Sequence, residues 1–203
     1  SQMAHFACSF KYRASCSAGV AAWFLTATSW ATNYTPFIVP AGTTFTLNGG
    51  DSVTGTGSST AIRVGGATLN FGPGNIAIGN VDLGVFATNG PAANINFQTG
   101  TNVTITTVTP TGLGLQSTVN SQAVFSLAPN SNVTIRGFQG VNLGHTPLGT
   151  SSQLNIGSGA TLKIEAAPAG GNPWPKGVMT SNNAAISIAA GGGLDVQLSL
   201  IHI

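Results

Sequence analysis

Residues 152–166 read SQLNIGSGATLKIEA. Leu154 and Ile156 alternate with polar residues, a run of small residues follows, and Leu162 and Ile164 alternate again. Two short strands flanking a turn produce that pattern. As a rule, apolar residues stand at i, i+2, i+8 and i+10, with Gly, Asn, Ser or Thr between the pairs.

The rule recurs along the chain. Phe37, Val39, Phe45 and Leu47 obey it, as do Ile95, Phe97, Val103 and Ile105; Val133, Ile135, Val141 and Leu143; and Ile186, Ile188, Leu194 and Val196. Leu69, Phe71, Ile76 and Ile78 match with one residue missing. Starts at 37, 69, 95, 133, 154 and 186 are separated by 32, 26, 38, 21 and 32 residues, an irregular spacing within the range of solenoid repeats. Alternation over three to five residues puts only two or three side chains on one strand face, too few to bury a core alone. Stacking coil upon coil supplies the missing partners, with parallel ladder hydrogen bonds running along the stack. A hairpin meander would place Asn-Gly or Asp-Gly in the short gaps, whereas Asn48-Gly49 and Asn89-Gly90 fall outside them. The spacing therefore favours a parallel β-helix over a sandwich.

Composition agrees with an all-β fold. Charged residues make up 5% of the 203 residues, against roughly a quarter in ordinary soluble domains. Gly, Ser, Thr and Asn replace them, residues suited to turns and outward strand faces. Formal net charge is +2 and no basic stripe is present, which excludes electrostatic recognition of nucleic acid. No stretch carries a helical apolar stripe, so helix is minor.

Residues 1–31 differ from the rest. Lys11 and Arg13 precede an apolar, small-residue run that ends at Ser29-Trp30-Ala31, the order of a secretory signal peptide. An N-terminal helix capping the solenoid is the other reading. The run is too short and too broken by Thr and Ser for a membrane span. Cys8 and Cys16 both lie there, leaving residues 32–197, the expected β-helix domain, without a disulfide. Longer loops are expected at 49–60, 108–120 and 167–176, the last carrying Pro168, Pro173 and Pro175 around Trp174. The final six residues, 198–203 (LSLIHI), read as a translated sequencing-library adapter that truncates the domain. Otherwise they form a last strand.

Chemistry-bearing residues are few. The carboxylates are Asp51, Asp82, Glu165 and Asp195, no two close in sequence. Glu165 and Asp195 occupy corresponding parts of adjacent units, so their side chains are able to approach, although solvated surface charges are the simpler reading. His145 stands without a cysteine or carboxylate nearby, so no zinc site and no Cys-His nucleophile is expected. No clustered carboxylates for calcium appear, and the Gly-x-Gly pairs precede no helix that would bind phosphate. No catalytic residue, metal or cofactor is therefore assigned. Arg63 and Arg136 are candidate clamps for an acidic sugar or solubilising surface charges. Trp174 stacks on a sugar ring or anchors in a partner if exposed, and otherwise packs over the coil. Asn33, Asn102 and Asn132 lie in Asn-x-Thr sequons that strand structure alone also explains.

Phrases such as GSGATLKI, PAGTTFTL and SNVTI resemble the pectate-lyase-like β-helices of bacterial surface proteins, in particular the adhesive domains of Gram-positive cell-surface proteins. Autotransporter passenger domains share the style. The resemblance covers residues 33–197 and rests on no single motif. It implies a right-handed single-stranded parallel β-helix with three sheets per coil, export, attachment to the cell surface, and adhesion to extracellular glycans or proteins. Pectate lyases and polygalacturonases of this fold carry several Asp, with Arg or Lys, on one sheet face. That cluster is missing here, so no catalytic role is carried over. The expected function is a non-enzymatic secreted adhesin module. The alternatives are a polysaccharide-active enzyme with catalytic coils beyond the truncation, and a structural spacer.

Overall fold

A computed structural model describes residues 31–88, 90–117, 121–144, 152–166, 176–180 and 184–198. The signal-peptide expectation for 1–31 falls almost wholly outside them, as do Trp174 and His145. All regular structure described is strand, and every strand pairing is parallel.

The strands succeed one another in threes. β1 (Asn33–Tyr34), β2 (Phe37–Val39) and β3 (Thr44–Leu47) open the stack, followed by β4 (Ser52–Thr54), β5 (Thr60–Val64) and β6 (Thr68–Phe71). Next come β7 (Gly74–Val81), β8 (Leu83–Ala87) and β9 (Gly90–Phe97), then β10 (Thr101–Thr107), β11 (Leu113–Ser117) and β12 (Ser121–Leu127). β13 (Asn132–Gly137), β14 (Gln139–Leu143) and β15 (Gln153–Ile156) continue the series, then β16 (Thr161–Ala166), β17 (Lys176–Thr180), β18 (Ala185–Ile188) and finally β19 (Gly193–Leu198). Every third strand pairs with the next of its kind. The first sheet is β1-β4-β7-β10-β13-β16-β19, the second β2-β5-β8-β11-β14-β17, and the third β3-β6-β9-β12-β15-β18. This is a parallel β-helix with three sheets per coil.

Register stacks the apolar residues in columns. In the third sheet Leu47, Phe71, Phe97, Leu127, Ile156 and Ile188 stand level. In the first sheet Val53, Ile78, Ile105, Ile135, Ile164 and Val196 do so. The second sheet adds Ile62, Val85, Leu115 and Val141. All but Ile188 and Val196, in the last described strands, are buried. Each column thus gains at every coil the neighbour that a lone strand lacks.

The coil period is regular once corners are matched. Level residues Phe45, Leu69, Ile95, Phe125, Leu154 and Ile186 lie 24, 26, 30, 29 and 32 positions apart. The uneven spacing in the sequence arises because the i, i+2, i+8, i+10 rule also fits other corners. Its match at 37 spans β2 and β3, that at 133 spans β13 and β14, and the others join the third sheet to the first. Two expected loops are corrected as well. β4 lies inside 49–60 and β11 inside 108–120. Ser52–Thr54 puts only Val53 inward, and β11 carries Gly114 as its second residue, so neither shows the expected alternation. The boundary drawn at 197/198 falls within β19, whose Leu198 pairs with Ala166.

Two further columns shape the corners. Between the third and first sheets, β-turns close from Asp51, Thr101, Ser131, Ala160 and Gly192 N–H to the carbonyl three residues earlier. Their third residues, Gly50, Gly100, Asn130, Gly159 and Gly191, all have positive φ, the left-handed geometry of a type II turn. In the second sheet Ala61, Gly84, Gly114, Gly140 and Gly177 stand level. A Cβ on Gly114 would lie 2.5 Å from Ile135 Cγ2, and one on Gly140 2.6 Å from Ile164 Cγ2. Here the second sheet meets the first sheet's isoleucines so closely that backbone fills the space.

Candidate functional site

A β-helix buries its apolar columns inward, so the strand side chains free to meet a ligand stand on the outer sheet faces. The first sheet is the broadest. Its outward residues form rows: Asn75, Asn102, Asn132 and Thr161 in one; Ser52, Ala77, Thr104, Thr134, Lys163 and Asp195 in the next. A third row holds Thr106, Arg136, Glu165 and Gln197. Neighbouring rungs lie about 4.8 Å apart, as in any sheet. The Asn132 side-chain amide donates to Asn102 Oδ1 at 3.0 Å, a ladder bond between rungs.

One end of this face is charged. Glu165 accepts from Arg136 Nε at 2.8 Å and from Lys163 Nζ at 2.6 Å. The Lys163 ammonium first, and the Arg136 guanidinium second, hold the Glu165 carboxyl below its usual range. Asp195 stands level with Lys163, and the Gln197 amide donates to it at 2.9 Å. Glu165 and Asp195 therefore do share a face on adjacent strands, offset by two residues. The cations between and beside them are already engaged with Glu165, so the group is an ion-paired surface cluster rather than a free acid and base.

The other carboxylates serve corners. Asp51 is 3% exposed and accepts from Thr32 N–H at 2.9 Å and Asn48 N–H at 2.7 Å. Asp82 accepts from the Thr109 hydroxyl, and from that of Thr111 at 3.4 Å. Both fix turns. Sequence spacing gave no sign of either role. It also missed the buried hydroxyls Thr101, which donates to the Phe71 and Gly72 carbonyls, and Ser152, which donates to Ser117 Oγ at 2.9 Å.

The two arginines part company. Arg136 lies on the first sheet, paired with Glu165, while Arg63 is exposed on the second, level with Ile38 and Phe86. Among the described residues no group of three His, Cys, Asp or Glu could hold a metal ion. No described helix is long and apolar enough to cross a membrane.

At the other end of the first sheet the surface dips. A shallow, open depression of about 330 Å³ runs from the Gly50-Asp51 corner over Ser52 of β4 and Asn75, Ile76 and Ala77 of β7 to Asn102 and Thr104 of β10. In the row that crosses it, Ala77 presents a methyl group where Ser52 and Thr104 carry hydroxyls.

No protein family matches the chain, and neither does any curated protein sequence or solved structure.

Proposed function

We propose that the chain is a non-enzymatic, secreted adhesin module of the pectate-lyase-like kind, displayed at a cell surface, that meets extracellular glycans or proteins through the outer face of its first sheet. The observation that supports this reading is the run of short neutral side chains on that face, from Asn75, Asn102 and Asn132 in one row to Thr104 and Thr134 in the next. Such a face offers hydroxyls and amides at each rung, so many weak contacts add to avidity without a deep pocket. Glu165, held ionised by Lys163 and Arg136, is poorly placed to give up a proton as a general acid.

The full chain, captured on a biosensor, is to be exposed to immobilised matrix proteins and to neutral and acidic polysaccharides. Thr104→Glu with Thr134→Glu on the first sheet is expected to lower binding at least tenfold, and Asn70→Glu with Asn96→Glu on the third sheet to leave it unchanged. Cleavage of a polysaccharide, lost on Glu165→Gln or Asp195→Asn, would overturn the proposal in favour of an enzyme.

A further inference from the structure

We infer that the depression over Ala77 is a binding site for a neutral polysaccharide chain, one pyranose unit of which lies across β7. The inference rests on the adhesin reading and specifies where, and to what, the face binds.

The floor and the rim differ in chemistry. Ala77 is exposed and presents only a methyl group, while Ser52 and Thr104 stand level with it on either side. Among the described residues Asn75 and Thr104 make no side-chain hydrogen bond, Asn102 accepts from Asn132 through Oδ1 and makes none through Nδ2, and the Ser52 hydroxyl donates to Asn33 Oδ1 at 3.1 Å. Donors and acceptors thus ring a carbon floor. A pyranose ring has the matching division, with C–H groups on its face and hydroxyls around its edge.

Charge narrows the ligand class. The carboxylate that borders the dip, Asp51, is turned into the corner, with each oxygen accepting a backbone N–H. The first cation along this face, Arg136, stands two strands beyond β7, about 10 Å away, and is paired with Glu165. Nothing described at the dip would attract a uronate or sulfated sugar, and the rim suits an uncharged one.

The strand continues the opening. Gly79 is the next outward residue of β7, level with Thr54. Its φ is not positive, and a Cβ there would meet nothing within 4 Å. Neither backbone nor packing demands glycine at this position, unlike Gly84 or Gly114. Its effect is to keep the surface low beyond Ala77, where a second sugar unit of an extended chain would lie.

The test uses the full chain and a panel of neutral hexasaccharides of glucose, mannose, galactose and xylose, with oligogalacturonate, heparin fragments and matrix-protein-coated wells beside them. Wild type is expected to bind at least one neutral hexasaccharide. Ala77→Leu, which fills the dip, is expected to weaken that binding tenfold or more, and Gly79→Val at least threefold, both with an unchanged melting midpoint. Asn102→Ala, which removes atoms and adds none, is expected to weaken it about threefold. Neutral-sugar binding that Ala77→Leu and Asn102→Ala leave intact overturns the inference. Binding confined to acidic sugars or matrix proteins overturns the inference and leaves the adhesin reading standing. Failure to bind any probe overturns both.

Discussion

The rings of Phe71 and Phe97 stack with centroids 4.7 Å apart and planes within 5° of parallel. They are level partners in β6 and β9, both fully buried, so one contact displays how each coil completes the core of the last. Phe97→Ala should cost about 3–5 kcal/mol. Phe97→Leu should cost clearly less, because leucine fills more of the space than alanine and already occupies the column at 47 and 127. Urea denaturation of the two variants beside wild type checks the pair; equal losses would contradict the stacked-column account.

The glycine column gives a second contrast. Gly114→Ala forces a methyl group against Ile135 and should destabilise by about 1–3 kcal/mol. Gly79→Ala, with open space at its Cβ, should instead be neutral or stabilise by up to about 1 kcal/mol. Chemical denaturation midpoints decide this, and a loss at Gly79 as large as that at Gly114 would refute it.

Asn130 is the one non-glycine among the positive-φ residues at the third-to-first-sheet turns identified above. Asparagine visits that region far more readily than a branched residue. Asn130→Val should therefore lose about 1–2 kcal/mol, whereas Asn130→Gly should hold the wild-type midpoint. Thermal melts of both variants test whether the turn geometry is needed.

Glu165 should titrate below the ordinary glutamate value, because the ionised form is held by two cations. Its folded value is depressed, so the ion-pair contribution is present above the unfolded value and fades as pH falls through the folded one. Lys163 is the stronger partner. Lys163→Ala should accordingly raise the carboxyl titration midpoint, followed by carbon-detected NMR, more than Arg136→Ala does. The reverse order would show that the guanidinium dominates.

Much of the fold was legible in short range. The alternation of Leu154, Ile156, Leu162 and Ile164 identifies two strands and their turn, and its recurrence identifies a solenoid. Corner identity was not legible from that rule, because any two consecutive strands with a short turn satisfy it. The better marker was the second-sheet glycine, in Leu83-Gly84-Val85, Leu113-Gly114-Leu115, Gln139-Gly140-Val141 and Lys176-Gly177-Val178, at level positions in four successive coils. Read locally, glycine inside a strand signals a break, which makes a strand such as β11 hard to tell from a loop. Ser117 is hard to read for a similar reason: it fills an inward position level with Ala87 and Leu143, where its contact with Ser152 accounts for a hydroxyl. Of the candidate site, the outward placement of Arg63 and Arg136 followed from alternation. The Arg136–Glu165 pair and the dip at Ala77 depend on which rungs are neighbours, 29 and 27 residues apart, and no local pattern encodes that.

The most direct test of the account is to map, by backbone-amide chemical-shift changes, where the full chain meets the neutral hexasaccharide that it binds best. Changes concentrated at Asn75, Ala77, Asn102 and Thr104 and fading along the first sheet are the predicted result. Changes centred on the second or third sheet, with the first sheet silent, would contradict it.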